Sequence, residues 1–100
     1  MNTPIACTLT DAEMRERRRA ILDPVRSGVR SVTPLPLGYE YHFDAKPELI
    51  VQLARLVDLE QVCCAFLTFR IVVETGGESI CLEITGPAEA KAVIEEILGG

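Results

Sequence analysis

Two segments of this chain alternate apolar and polar residues with a period of two, and this pattern restricts the fold more than any other. The segments are residues 39–44 and 79–85. Their apolar positions are Tyr39, Tyr41 and Phe43 in the first and Ile80, Leu82 and Ile84 in the second. Successive side chains of a β-strand point to opposite faces of the sheet, so each segment predicts a strand with one buried face. One apolar face per strand is typical of an antiparallel sheet covered on a single side.

Each of these strands has a partner earlier in the sequence. Residues 29–44 are typical of a β-hairpin, with Pro34, Pro36 and Gly38 between its two extended halves. Because proline cannot donate a backbone hydrogen bond, the first half should be an edge strand or irregular. Residues 68–75 precede the turn sequence Gly76-Gly77-Glu78 and predict a second hairpin with residues 79–85.

Three helices complete the predicted set of elements. Thr10 and Glu13 have the spacing of a capping box, which starts a first helix at Asp11. Pro24 should end that helix or open a short further turn to Ser27. Gly86-Pro87 starts a final helix. Its expected buried residues are Ala90, Val93, Ile94 and Ile97.

The middle helix should be the longest and the most apolar. Asp44 can cap it, Pro47 and Glu48 suit its first turn, and it should end near Phe66. Apolar residues recur along it at helical spacing and predict a wide buried surface. They are Leu49, Ile50, Leu53, Leu56, Val57, Leu59 and Val62. This pattern predicts the central helix of the core.

The element order α-β-β-α-β-β-α indicates an α+β fold. We expect a single two-layer domain over residues 1–100, with an antiparallel sheet of about four strands and helices on one face. Residues 1–9 should form an irregular lead-in that carries Cys7. The sequence does not determine the order of the strands in the sheet.

The charge balance excludes some classes of partner. Ten Lys and Arg residues stand against 15 Asp and Glu residues, for a net charge of −5. This balance disfavours nucleic acid and anionic membrane surfaces as partners. The cluster at residues 15–19 is interleaved with acidic residues and indicates a solvated helix face. The N-terminal residues have no apolar stretch of the length a signal peptide or membrane span needs, so we expect a cytoplasmic protein.

The adjacent pair Cys63-Cys64 is the clearest pointer to chemistry. Neighbouring Cα atoms lie about 3.8 Å apart, closer than the roughly 4.4 Å lower limit of ordinary disulfides, so a bond between the two is disfavoured. Three hypotheses follow for this pair. Both thiols are buried and inert, or one of them pairs with a distant cysteine, or both bind a soft metal or metalloid. Four cysteines are too few for a disulfide scaffold, and we expect them to be reduced.

Spacing and strand alternation separate the residues that can join this pair from those that cannot. Cys7 precedes the first helix on a lead-in that can fold back, and Glu60 lies one helical turn before Cys63 and Cys64. His42 and Cys81 alternate with the apolar strand positions, so both should lie on the sheet face away from the helices. We expect these two to be ordinary surface or packing residues.

A site of three thiols suits soft ions. Thiolates select Hg(II), Cu(I), Zn(II) or As(III) over hard cations. Three sulfur atoms with no clear fourth ligand fit a trigonal site better than structural zinc, which takes four. Cys7, Cys63 and Cys64 are therefore the expected metal ligands, with Glu60 as a further ligand or as a partner to them.

Several segments resemble a group of small bacterial proteins that also occurs as a C-terminal extension of MerR-type metal-responsive transcription regulators. The resemblance lies in residues 5–10 (Ile-Ala-Cys-Thr-Leu-Thr), residues 38–39 (Gly-Tyr), residues 59–69, which contain Cys-Cys-Ala-Phe-Leu-Thr-Phe, and residues 82–87. It implies a role in heavy-metal resistance and carries over Cys7, Cys63, Cys64 and Glu60 as the site. Cys81 has no place in that pattern.

These observations lead to one expected function and two alternatives. The expected function is binding of a soft metal or metalloid of the mercury or arsenic type. The partner would be the metal ion and, through the resemblance, a metal-responsive regulator or another resistance protein. The first alternative is a thiol redox or organometal-processing enzyme that uses Cys7 with Cys63 or Cys64. The second is a non-metal interaction module whose cysteines fill the core. Whether the protein is an enzyme stays open at this point, as does its oligomeric state.

Overall fold

The structure is a computed structural model that describes residues 12–100, and its element order is the expected one. The helices and strands are α1 (Ala12–Ser27), β1 (Val29–Leu35), β2 (Gly38–Asp44), α2 (Leu49–Cys63), β3 (Thr68–Val73), β4 (Ser79–Thr85) and α3 (Lys91–Leu98). Short 3₁₀ turns at Thr75–Gly77 and Ala88–Ala90 precede β4 and α3. The predicted lead-in with Cys7, and the capping box from Thr10, lie outside the described residues.

The four strands form one antiparallel sheet in the order β1-β2-β4-β3. The second strands of the two hairpins pair with each other at the centre, with Tyr41 opposite Leu82 and Phe43 opposite Ile80. β1 is an edge strand, as its prolines predicted, and Pro34 lies opposite Tyr39 in the register.

The core lies between the helices and one face of this sheet. The alternating apolar residues of β2 and β4 are buried there, as expected from the sequence. The helices contribute the other buried side chains. These include Leu22 and Val25 from α1, Leu49, Leu53 and Leu56 from α2, and Ile94, Ile97 and Leu98 from α3. Residues opposite one another in antiparallel strands share a face, so the pairs Tyr39 with Ile84 and Tyr41 with Leu82 form a continuous apolar surface.

α1 does not end at Pro24 but continues through it to Ser27. The Ser27 hydroxyl donates to the carbonyl oxygens of Asp23 and Pro24, at 3.0 and 3.1 Å. Arg26, in the last turn of α1, contacts the C-terminal helix α3. Its Nε donates a hydrogen bond to the carbonyl oxygen of Ile97 at 2.7 Å. An arginine at the end of one helix therefore binds backbone acceptors at the end of another, where α-helices have unpaired carbonyls.

α2 is shorter than predicted at both ends. Glu48 has a positive φ of 70°, which is not helical, so the helix begins at Leu49 rather than Pro47. It ends at Cys63 because Cys64 adopts φ −126° and ψ 66°. The helix packs on one side only, and Val62, which the pattern placed in the apolar surface, is 71% exposed. Among residues 12–100, no helix is long and apolar enough to cross a membrane.

Gly38 provides a test of the sheet geometry. A Cβ atom at this position would lie 1.9 Å from the carbonyl oxygen of Ile84 and 2.8 Å from Cα of Thr85. Both are backbone atoms of the paired strand and cannot move without separating β2 from β4. We expect Gly38→Ala to lower the free energy of unfolding by at least about 2 kcal/mol, as overpacking does in tight sites.

Gly28→Ala is the matched control, because its Cβ would be 3.5 Å or more from every neighbouring atom. We expect this variant to stay within about 1 kcal/mol of the natural protein. Urea unfolding followed by circular dichroism measures both values. Equal stability of the two variants would contradict the strand pairing at Gly38.

Candidate functional site

The last turn of α2 holds Cys63 against the core. Its side chain is 4% exposed, and it is a free thiol. It lies one helical turn after Glu60 and about four turns after the start of the helix, on the same buried stripe as Leu53 and Leu56. Cys63 faces inward because the apolar periodicity of α2 continues to the end of the helix.

Cys64 is also buried, although adjacent residues of one helix differ in direction by about 100°. Cys64 can be buried beside Cys63 because its backbone is not helical, so the 100° rotation does not apply to it. Its N–H donates to the carbonyl of Glu60 at 2.7 Å, and its own carbonyl accepts from the N–H of Leu67 at 3.0 Å. Both cysteines can therefore be buried at one helix end.

Cys64 is disulfide-bonded, whereas the expectation from the sequence was four reduced cysteines. Cys63 and Cys81 are free thiols, so neither of them is its partner. Cys7 lies outside the described residues. Of the expected ligands, Glu60 and Cys63 lie one turn apart at the end of α2, and Cys64 follows directly as the C-cap residue.

Glu60 is fully buried and forms an ion pair with Arg18 of α1. The guanidinium donates through Nε to Oε2 at 2.9 Å and through Nη2 to Oε1 at 2.8 Å. Arg18 is 22% exposed, so its basic segment is not wholly the solvated face that the sequence indicated. Both carboxylate oxygens already accept a hydrogen bond, which makes Glu60 better placed to orient this region than to bind an ion directly.

The surroundings of Cys63 favour the neutral thiol. Burial is the main cause that raises the pKa of Cys63, and the Glu60 carboxylate adds to it, whereas the Arg18 cation opposes both. A thiol of this kind reacts slowly as a free nucleophile, because the thiolate is the reactive form. A bound cation would supply the charge that this thiolate lacks.

A second group of candidate ligands lies on the opposite face of the sheet. His42 of β2 and Cys81 of β4 are direct cross-strand neighbours, and Glu40 lies two residues before His42 on the same face. The ligand atoms of these three residues all lie within 4.8 Å of one another. His42 Nε2 is 2.8 Å from Oε1 of Glu40 and 3.2 Å from the hydroxyl of Thr33.

Cys81 is 6% exposed even though no helix of the described chain covers this face. Its strand is central, and His42 and Val72 flank it on the two neighbouring strands. Burial raises the pKa of Cys81 to about 12, and the carboxylates of Glu40, Glu83 and Glu74 also raise it.

The alternation of residues in β2 and β4 predicted the face that His42 and Cys81 occupy but not the contact between them. Alternation within a strand determines which face a residue occupies, whereas their contact depends on the pairing of β2 with β4 and on its register. Within the sequence, only the spacing of Glu40 and His42 indicated part of this cluster, because residues two apart in a strand share a face.

Comparison with family models, curated proteins and solved structures finds no match to this chain.

The Arg18–Glu60 pair can be tested by removing its cation. Arg18→Met leaves a buried carboxylate without a partner, and we expect it to lower the free energy of unfolding by about 3 kcal/mol at neutral pH. Arg19→Met is the matched control. Arg19 pairs with Glu16, but both side chains are mostly exposed, so we expect a change below about 0.5 kcal/mol. Urea unfolding distinguishes the two, and equal effects would show that Glu60 does not depend on Arg18.

The two free thiols should be protected from alkylation in the folded protein. For Cys81, a pKa of about 12 in place of the ordinary 9.0 lowers the thiolate fraction near pH 8 by about 1000-fold. We expect its alkylation by iodoacetamide at pH 8 to be at least about 100-fold slower in the native protein than in urea. The native rate should rise steadily as pH increases toward 12. Peptide mass spectrometry after timed labelling gives the rates, and equal native and unfolded rates would contradict the protected environment.

Proposed function

We propose that this protein is a cytoplasmic binder of soft metal or metalloid ions of the mercury or arsenic type, acting in heavy-metal resistance. The observation that carries the proposal is the disulfide-bonded Cys64 beside the free, buried thiol of Cys63. The disulfide joins a second cysteine to Cys64, the residue directly after Cys63, so reduction would make up to three thiols available to an ion in this proposal.

In this proposal Cys7, the remaining cysteine of the four in the sequence, supplies the third sulfur ligand. In the disulfide form, neither bonded sulfur is free to bind an ion as a thiolate. Reduction by two equivalents of a thiol such as glutathione yields two cysteine thiols and one oxidised glutathione. The three thiols then exchange their protons for a soft cation, and thiolates prefer such ions over hard ones.

The neighbouring ion pair supports this role. Glu60 accepts two hydrogen bonds from Arg18 and its backbone carbonyl accepts the N–H of Cys64. These contacts hold the end of α2 in one conformation, and a ligand set held in advance binds its ion at a smaller entropic cost. In this proposal Glu60 orients the cysteines, and Arg18 lowers the cost of forming a thiolate at Cys63.

Competition with glutathione tests the proposal. The reduced protein is titrated with Hg(II) in the presence of excess glutathione, and the ultraviolet sulfur-to-mercury charge-transfer band is followed. We expect one saturable site that survives the competitor, because two or three sulfurs held together exceed the affinity of separate thiols. Cys7→Ser, Cys63→Ser and Cys64→Ser should each weaken binding by at least about tenfold.

Cys81→Ser is the matched control, because Cys81 is a free thiol on the other face of the sheet. It should leave Hg(II) binding unchanged under glutathione competition. Loss of binding in this variant, or retention of full affinity in the Cys63 and Cys64 variants, would overturn the assignment.

The disulfide at Cys64 favours a second candidate, a thiol redox or organometal-processing enzyme in which Cys7 and Cys64 cycle between disulfide and dithiol forms. Equilibration with glutathione buffers of varied redox ratio, followed by alkylation and mass spectrometry, tests this candidate. Reversible cycling together with catalytic turnover and without competitive Hg(II) binding would favour it. A disulfide that stays intact in all native buffers, with Cys63 unreactive, would instead favour an interaction module with core cysteines.

A further inference from the structure

A cluster of three different ligand types lies on the sheet face opposite the proposed thiol site. It consists of Glu40 and His42 on β2 and Cys81 on β4. The carboxylate, imidazole and thiol donor atoms all lie within 4.8 Å of one another. The resemblance described above does not include Cys81, and the proposed function does not use any of these residues.

We propose that Glu40, His42 and Cys81 form a second cation site, for a borderline divalent ion of the Zn(II) class. Zn(II) takes carboxylate oxygen, imidazole nitrogen and thiolate sulfur, and with three protein ligands it keeps a fourth position for water. Hard ions such as Mg(II) prefer all-oxygen sites, and the soft ions of the proposed function prefer sulfur alone. The mixed donor set therefore selects a different class of ion from that of Cys63 and Cys64.

The distances fit such a site. Zinc bonds of about 2.0–2.3 Å in tetrahedral geometry place ligand atoms about 3.3–3.6 Å apart. His42 Nε2 and Glu40 Oε1 are now 2.8 Å apart, at hydrogen-bond distance, and no pair of ligand atoms in the cluster is more than 4.8 Å apart. The His42–Glu40 distance is shorter than the required one, and the 4.8 Å limit on the other separations is about 1 Å above it. Small side-chain rotations would bring the three ligand atoms to the distances that a bound ion requires.

The arrangement of charge on this face also favours a cation. Glu40 lies directly opposite Glu83 in the register, and like charges in that position repel each other. Thr33 and Arg70 complete this row across the four strands. A divalent ion at Glu40 offsets the repulsion. When it binds, the Cys81 thiol releases its proton to solvent and the sulfur forms the bond to the metal.

The supporting structure is rigid. β2 and β4 are the two central strands, and each has a paired strand on both sides. Glu40 and His42 are about one-third exposed, at 29% and 32%, whereas Cys81 is 6% exposed. An ion can thus approach from solvent and still meet a sulfur ligand held in place by its neighbours.

His42 is the single histidine of the chain, which gives the proposal a direct test. The full chain, labelled with ¹⁵N and with the Cys64 disulfide left intact, is titrated with Zn(II) while the imidazole nitrogen resonances are recorded. We expect a saturable shift of one ring nitrogen at one equivalent, with a single tautomer fixed. Unchanged imidazole resonances with Zn(II) in tenfold molar excess would overturn the proposal.

Keeping the disulfide intact separates this site from the proposed thiol site, since Cys64 then cannot bind an ion. Co(II) serves as a second probe, because a thiolate ligand gives a sulfur-to-cobalt charge-transfer band. That band should disappear in Cys81→Ser and persist in Cys63→Ser. A band that depends on Cys63 would overturn the assignment even if the protein binds Hg(II) as proposed.

Charge alone must be excluded as the cause of binding. Glu40→Gln and Glu83→Gln remove the same charge from the same face, but only Glu40 belongs to the ligand set. We expect Cys81→Ser, His42→Gln and Glu40→Gln to weaken Zn(II) binding by at least about 10- to 100-fold, and Glu83→Gln by less than about threefold. Equal losses in the two glutamate variants would overturn the proposal in favour of non-specific attraction. Circular dichroism confirms that each variant is folded.

Discussion

The sheet has one covered face, and this constraint governs the rest of the structure. All the strongly apolar positions of β2 and β4 lie on the side where the helices pack, and the alternating residues lie on the other. A sheet of this kind divides its own reactive side chains into two groups that cannot meet. Cys63 and Cys64 belong to the helical side, whereas Cys81, His42 and Glu40 belong to the uncovered side.

On the helical side, the Arg18–Glu60 pair joins α1 to the last turns of α2. A buried carboxylate is costly unless a cation and hydrogen bonds compensate for it, and Arg18 supplies both. The same glutamate contributes its backbone carbonyl to the N–H of Cys64. The side chain of Glu60 therefore joins α2 to α1 through Arg18. Its main-chain carbonyl accepts the hydrogen bond that holds Cys64, the disulfide-bonded cysteine, at the end of α2.

The two faces suit different chemistry. At the end of α2, burial favours the neutral thiol of Cys63. The uncovered face instead combines carboxylate, imidazole and thiol on two rigid strands that solvent can reach. The two proposed ion sites therefore lie on opposite faces of one sheet and share no ligand.

Local patterns predicted much of this architecture. The period-two alternation, the helical spacing of α2 and the prolines of β1 were sufficient for the element order and the edge position of β1, because these depend on residues near in sequence. The ends of α2 were predicted wrongly, because Glu48 and Cys64 leave helical geometry at positions where the helical spacing of the sequence continues. Arg18 could not be matched to Glu60, nor His42 to Cys81, because such contacts depend on helix docking and strand register. Residue type and periodicity thus determined which face each side chain of β2 and β4 occupies, whereas only the tertiary pairing decided which side chains meet, since contact across elements is a property of the assembled core.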